Sequence, residues 1–179
     1  LWHLHEELEL TFVAEGSGTR CVGDQISSFE TPSLVLLGSN LPHYWRFSGR
    51  SSGLCVQLNP SRLAMTLPPS ARSDLHRLSK RAEKGLLVSG KSLARAVALL
   101  EELPTRRSLT RIGILLQLLG ELGSASGSSV KELSTKRFNV SHLAPGYGQI
   151  QKAVLLILAH FHENLTLEHV LKTTHMSKA

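Results

Sequence analysis

Near the start of the 179-residue chain, imidazoles and a carboxylate recur at short spacing, His3-x-His5-x3-Glu9, and Gly16 closes the stretch. A further imidazole, His43, stands in the segment Leu41-Pro42-His43-Tyr44-Trp45. In an extended strand, side chains alternate between faces, so residues two and four apart share one. His3, His5 and Glu9 can therefore converge, with His43 joining them from a neighbouring strand. Imidazoles with one carboxylate suit a divalent transition metal such as iron, manganese, nickel or zinc. The competing reading is an ordinary half-buried strand. Leu4, Leu8, Leu10 and Phe12 hold the even positions, so the odd ones, Glu7 included, would simply face water. Trp45 is expected either to line a pocket or to pack against helices. No cofactor is required; a divalent metal is the one the residues suggest.

The elements that must position these groups are short strands. Trp2-His3-Leu4-His5 is strand-like, and Leu8–Val13 alternates with period two. Gly16-Ser17-Gly18 is a turn before a short strand at Thr19–Val22, and Gly23-Asp24 turns again. Leu34–Leu37 is an apolar run, and Leu54–Leu58 alternates once more. Short strands with frequent turns predict an antiparallel sandwich or barrel over residues 1–59.

Asn59-Pro60 marks a change to helical periodicity, expected to run over residues 60–122. Ser73 is expected to cap a helix carrying Leu75, Leu78 and Ala82, which Gly85 ends. Leu93, Ala96, Val97, Leu100 and Leu103 make a second stripe, stopped by Pro104. Leu109, Ile112, Leu115, Leu116, Leu119 and Leu122 make a third. Two uses of that stripe are open: Leu109, Ile112, Leu116 and Leu119 pair with a second copy across a two-fold axis, or they pack on the barrel. Gly123–Ser129 is low in complexity and predicts a linker, spanning 123–148. A last helical unit, 149–179, carries the stripe Ile150, Ala153, Val154, Ile157, Leu158 and Phe161. Thr166 is an N-cap for Leu167–Leu171, although His169 stands where a capping box has Glu or Gln. Thr174-His175-Met176 is expected to turn, and Ser177 to cap a further helix.

Net charge is +6 overall, made of −3 over residues 1–59 and +9 over residues 60–179. The basic part is where nucleic acid would be touched. No apolar run is long enough to span a membrane, so no membrane partner and a cytoplasmic location are expected. Cys21 and Cys55 are too few for a disulfide scaffold and are expected to be reduced, buried thiols. Neither end has the pattern of a natural terminus, and the chain is expected to be a piece of a longer protein.

The spacing His3-x-His5-x3-Glu9-x6-Gly16 resembles the first motif of the cupin superfamily, and Gly38-Ser39-Asn40-Leu41-Pro42-His43 resembles the second. There the family's Pro-x-Gly appears as Gly38-Ser39-Asn40, and Ser33 replaces the glycine common after Pro32. By that resemblance His3, His5, Glu9 and His43 are the metal set. Taken together, residues 2–10, 16–20 and 34–45 resemble the sensor domain of AraC-type bacterial transcription regulators. Residues 150–177, Ile-Gln-Lys-Ala through His-Met-Ser, resemble the start of that family's DNA-binding domain. The fold implied is mixed α and β: an N-terminal antiparallel cupin-like β-barrel (half a jelly roll), a helical segment, and the start of a helix-turn-helix domain. The family's recognition helix would begin after Ser177 and the base-contacting residues would lie beyond Ala179. Lys152, Lys172 and Lys178 are then expected phosphate contacts. Leu171 departs from the small residue usual at its place.

The function this implies is transcription regulation. A small-molecule effector, a sugar for instance, or a metal would occupy the barrel at His3, His5, Glu9, His43 and Trp45. The full-length protein would bind promoter DNA as a homodimer and would not be an enzyme. The alternative is a small metal-dependent cupin enzyme of the dioxygenase or isomerase type, with the same four residues holding a reactive metal. It accounts for the barrel but not for residues 150–177.

Overall fold

The computed structural model describes residues 2–138, 147–160 and 162–177. The chain divides into two compact units, Leu4–Phe138 and Leu1–His3 with Asn139–Ala179. The mixed α and β class expected from the sequence is the one observed, with antiparallel sheets and helices.

In the first unit β1 (Leu8–Glu15), β4 (Ser33–Leu37), β6 (Ser52–Leu58), β7 (Leu86–Val88) and β8 (Val130–Glu132) form one sheet in the order β6-β1-β4-β7-β8. A smaller sheet has the order β3-β2-β5, from β3 (Gln25–Phe29), β2 (Gly18–Val22) and β5 (His43–Phe47). Every pairing is antiparallel. Both faces of the large sheet are covered at its centre, on β1 and β4. Leu8, Leu10, Phe12, Leu34, Leu36, Leu86 and Val88 face the helices and pack on Leu75, Leu78, Ala96, Leu100 and Leu118. Val35, Leu37 and Leu87 face the small sheet, meeting Val22, Leu41 and Trp45. A strand buried on both sides loses the clean alternation of a wet-faced one. The reading in which the odd face of β1 is solvated is therefore corrected: Glu9 is 5% exposed and Val13 4%.

The helices behind the sheet are α1 (Pro60–Thr66), α2 (Pro69–Ala82), α3 (Gly90–Glu102) and α4 (Ser108–Ser124). Ser73 does not cap α2. The helix starts at Pro69, where a proline lacking N–H costs nothing, and the Ser73 hydroxyl donates to the Pro69 carbonyl at 3.1 Å. Gly85, at φ +70°, ends the turn after α2.

Three segments differ from the sequence reading. Gln25–Phe29 is a strand whose polar, largely exposed residues carry no periodic apolar signal. Leu86–Val88, inside the stretch read as helical, is a strand pairing with β4, because three apolar residues between Gly85 and Ser89-Gly90 are too few for helical periodicity to register. In the stretch read as linker, α4 continues to Ser124, a short 3-10 turn spans Gly127–Ser129, and β8 then pairs with β7. The segment after β8 is also tied down. Asp24 accepts from the Ser134 hydroxyl at 2.8 Å, the Thr135 N–H at 2.9 Å and the Thr135 hydroxyl. The Thr135 and Ser134 bonds hold its carboxyl at about 2.

In the second unit α5 (Tyr147–His160) is followed by α6 (Leu167–Thr174). The Thr166 hydroxyl accepts from the His169 N–H at 3.2 Å, as its capping role requires. His175, at φ +54°, adopts the left-handed conformation that closes a helix, and the Met176 N–H returns to the Leu171 carbonyl at 2.9 Å. The Gln149 amide donates to the His175 carbonyl at 3.1 Å, joining α5 to the end of α6. Phe161, Lys178 and the helix that Ser177 would cap lie outside the described residues.

Candidate functional site

Glu9 lies on the inner face of the central strand β1, with Leu37 on β4 and Gln57 on β6 as its register partners. His43 opens β5, opposite Val22 of β2. The two sheets thus bring a carboxylate and an imidazole to one point. His5 arrives differently from the expectation. Trp2–His5 is not a regular strand: Glu6 and Glu7 form a bend, and β1 begins at Leu8. The His5 backbone is held instead by the loop before β5, where the Asn40 N–H donates to the His5 carbonyl at 2.7 Å. Asn40 sits at φ +61°, a conformation asparagine tolerates better than most residues. It fills the place of the glycine in the motif this loop resembles.

Around Glu9 the distances are short. The His5 Nε2 lies 2.9 Å from Glu9 Oε2, and the Gln57 amide donates to the same oxygen at 2.8 Å. The Thr11 hydroxyl donates to Glu9 Oε1 at 2.6 Å, and His43 Nε2 stands 3.8 Å from that oxygen. Burial pushes the Glu9 carboxyl up, but the bonds from Thr11 and Gln57, the His43 charge and the His5 bond outweigh it and hold it at about 2. The carboxylate is therefore ionised at every physiological pH.

The imidazoles are oriented for ligation. His43 Nδ1 lies 2.7 Å from the Leu41 carbonyl, a contact only a protonated Nδ1 can make, and so Nε2 faces Glu9. His5 Nδ1 is 3.2 Å from the Glu7 carbonyl, which turns its Nε2 to the carboxylate. The Gln57 amide also stands 3.2 Å from His5 Nε2 and can donate to it. With Nδ1 protonated, however, the Nε2 lone pair and the ionised Glu9 oxygen at 2.9 Å repel each other, a conflict that a proton on Nε2 or a metal ion removes. The rings of His5 and His43 meet edge to face with centroids 5.1 Å apart. His3 lies two residues from His5, and one ligand atom each from His3, His5, Glu9 and His43 falls within 4.8 Å of all the others. The donor set and its orientation fit a divalent metal. Such an ion would supply a fixed positive charge and open coordination positions for ligand oxygens.

Trp45 stacks edge to face on His43 at 5.7 Å. Gln57 and Thr11 were not anticipated. They bind Glu9 because of strand register, which no local pattern announces. Cys21 is buried, whereas Cys55 is exposed, correcting the expectation of two buried thiols. Partial burial and neighbouring Glu9 push the Cys55 thiol up to about 12, which keeps it protonated.

The remaining expected positions are scattered. Leu109, Ile112 and Leu116 are exposed on α4, at 81%, 52% and 37%, but Leu119 is 7% exposed and belongs to the core. Lys152 and Lys172 are exposed on α5 and α6. No helix among the described residues is long and apolar enough to cross a membrane.

No family model matches the chain, and no curated protein matches it. Solved structures similar to it are AraC-family regulators. The AraC-like transcriptional activator CuxR is 12% identical with a TM-score of 0.47, covering 97% of this chain and 58% of its own. Unsaturated fatty acid-bound ToxT from Vibrio cholerae strain SCE256 is 14% identical with a TM-score of 0.44, covering 98% of this chain and 65% of its own. A second Vibrio cholerae ToxT structure is 13% identical with a TM-score of 0.41 and the same coverage. This chain thus spans less than two thirds of the length of each.

Proposed function

We propose that this chain is the sensing part, with the beginning of the DNA-binding domain, of an AraC-type transcription regulator. One observation carries the reading: a sandwich with a buried imidazole–carboxylate cluster precedes, in the same chain, a separate helical unit ending in a capped helix and a left-handed turn. A capped helix followed by a tight turn is the first half of a helix-turn-helix. The cluster takes a divalent ion, and the space beside it takes a small effector. Occupancy changes the relative stability of conformers with different DNA affinity. Footprinting of the whole protein on the DNA upstream of its own gene tests the reading. A discrete protected site is expected; protection nowhere, or everywhere alike, contradicts it.

The assembly is a homodimer built on α4. Leu109, Ile112 and Leu116 recur at helical spacing on its exposed side, where a monomer leaves them in water. Leu119 is excluded from the interface because it is already buried. Ile112→Glu is expected to give soluble, folded monomers by light scattering, with the wild type dimeric. A variant that stays dimeric removes α4 from the interface.

A further inference from the structure

The turn between β2 and β3 lies between the cluster and the last residues of the first unit. On one side the Gly23 N–H donates to the Pro42 carbonyl at 2.8 Å, and Pro42 directly precedes His43. Val22, just before the turn, is the register partner of His43. On the other side Asp24 accepts from the Ser134 hydroxyl and from the N–H and hydroxyl of Thr135. Gly23, at φ +59°, packs directly on this segment: a Cβ there would collide with the Ser134 side chain and the Phe138 ring. His43, Pro42, Gly23, Asp24 and Thr135 thus form one unbroken run of covalent and hydrogen bonds. Phe138 is the last residue of the first unit, and the chain continues from it into the second.

This contact can open without stranding a polar group. Asp24 and Thr135 are exposed, so water takes over their bonds. Ser134 is 2% exposed, but its hydroxyl has one proton and two acceptors, Asp24 Oδ1 and the Lys136 carbonyl, each at 2.8 Å. The ionised acceptor is the stronger one while Asp24 is in place. When Asp24 withdraws, the proton keeps a bond within the segment itself. The start of the segment is anchored independently: the Leu133 N–H donates to the Gly85 carbonyl at 2.9 Å and the Ser134 N–H to the Lys84 carbonyl at 2.8 Å. Beyond Thr135, Arg137 pairs with Glu83 at 3.2 Å, an exposed contact that constrains little. Opening therefore frees the chain from Thr135 onward and leaves the sandwich intact.

We propose that the Asp24 turn is the joint through which occupancy of the Glu9–His43 cluster reaches the chain leading to the second unit. A held His43 keeps Asp24 closed on Ser134 and Thr135; an empty cluster lets it open. The joint rests on the metal-centre and regulator readings and supplies the two-state element that coupling between distant sites requires. Coupling is reciprocal: whatever factor the ion contributes to closing the joint, the closed joint contributes to holding the ion. A turn that only braces the fold has no such reciprocity.

Amide hydrogen exchange of the wild-type chain, loaded with zinc and stripped by chelator, reads the joint directly. The Thr135 amide, bonded to Asp24, should exchange about 5-fold or more slowly with zinc, the low end of usual couplings. The Ala125 amide, bonded to Glu121 outside the run, should keep its rate. Asp24→Ala should weaken zinc binding by the same factor that zinc confers on Thr135. Asp24→Asn, which keeps the oxygen that Ser134 and the Thr135 N–H use, should lie between. Thr135 exchange indifferent to zinc, zinc affinity unchanged in Asp24→Ala, or a chain that takes up no zinc would overturn the proposal. The exchange comparison needs no variant. In the whole protein, Asp24→Ala should abolish most of the difference in DNA affinity between loaded and stripped forms. A difference that survives Asp24→Ala overturns the joint and keeps the regulator reading. A wild type with no such difference removes the regulator reading, and exchange and zinc affinity then decide the joint by themselves.

Discussion

Protein produced in metal-replete medium is expected to hold about one divalent ion per chain, and Glu9→Gln to weaken its hold by about 100-fold or more. Loss of outer partners of metal ligands typically costs 10- to 100-fold, and removal of the only carboxylate in the set should reach the top of that range or pass it. Glu9 is the carboxylate that faces both His5 Nε2 and His43 Nε2, at 2.9 and 3.8 Å, and it is buried, whereas Glu7 lies 3.6 Å from the other nitrogen of His5, Nδ1. His5→Ala should also release the ion. Gln57→Leu should cost about 10-fold or more, because the amide bonds the Glu9 oxygen that faces His5. Elemental analysis and chelator competition give the stoichiometry and the affinities. A wild-type chain without metal after loading, or Glu9→Gln that holds it as tightly, would exclude the cluster as a metal centre.

The second large effect concerns DNA. Bases are read by side chains on a recognition helix, whereas phosphate contacts only position the protein. Under the proposed reading α6 is the first helix of such a unit; Lys172 is exposed on it and Lys152 on α5. The 179-residue chain alone should therefore bind DNA weakly, without sequence preference, and lose affinity steeply with salt. The whole protein should prefer its own site over scrambled DNA by a factor on the order of 10³ or more. A titration of both proteins at near-physiological salt decides the matter. Clear discrimination by the short chain would mean that the recognition element lies within it.

Much of this was legible in residue order. The spacing of His3, His5 and Glu9 and the Pro42-His43 pair announce the cluster, because ligand type and parity survive whatever route the backbone takes. That route was misread: His5 reaches Glu9 around a bend and not along a straight strand, since the Asn40 N–H holds its carbonyl from another loop. Gln57 and Thr11 stayed invisible for a related reason. Their partners are set by register between β1 and β6 and by rotamer, and one strand does not name its neighbour. The stripe on α4 shows the same limit from the other side. Periodicity groups Leu116 with Leu119, but exposure of 37% against 7% separates surface from core, and only packing decides that. Short strands such as Leu86–Val88 escaped notice because three residues hold less than one period of a helical pattern and barely one of a strand. Asp24 reads as a turn residue and no more, since its partners Ser134 and Thr135 stand 110 and 111 residues further on.

The central claim is that the interior of the sandwich and the binding of DNA are coupled. The most direct measurement is the affinity of the whole protein for its specific site, with the Glu9 cluster loaded with divalent metal and stripped by chelator, beside Glu9→Gln under both conditions. Coupling free energies between sites usually change affinity by about 5- to 150-fold, so the wild type should show a difference in that range, in either direction. Glu9→Gln should show the same affinity in both conditions. Equal affinity of loaded and stripped wild type, on DNA it binds specifically, would contradict the account.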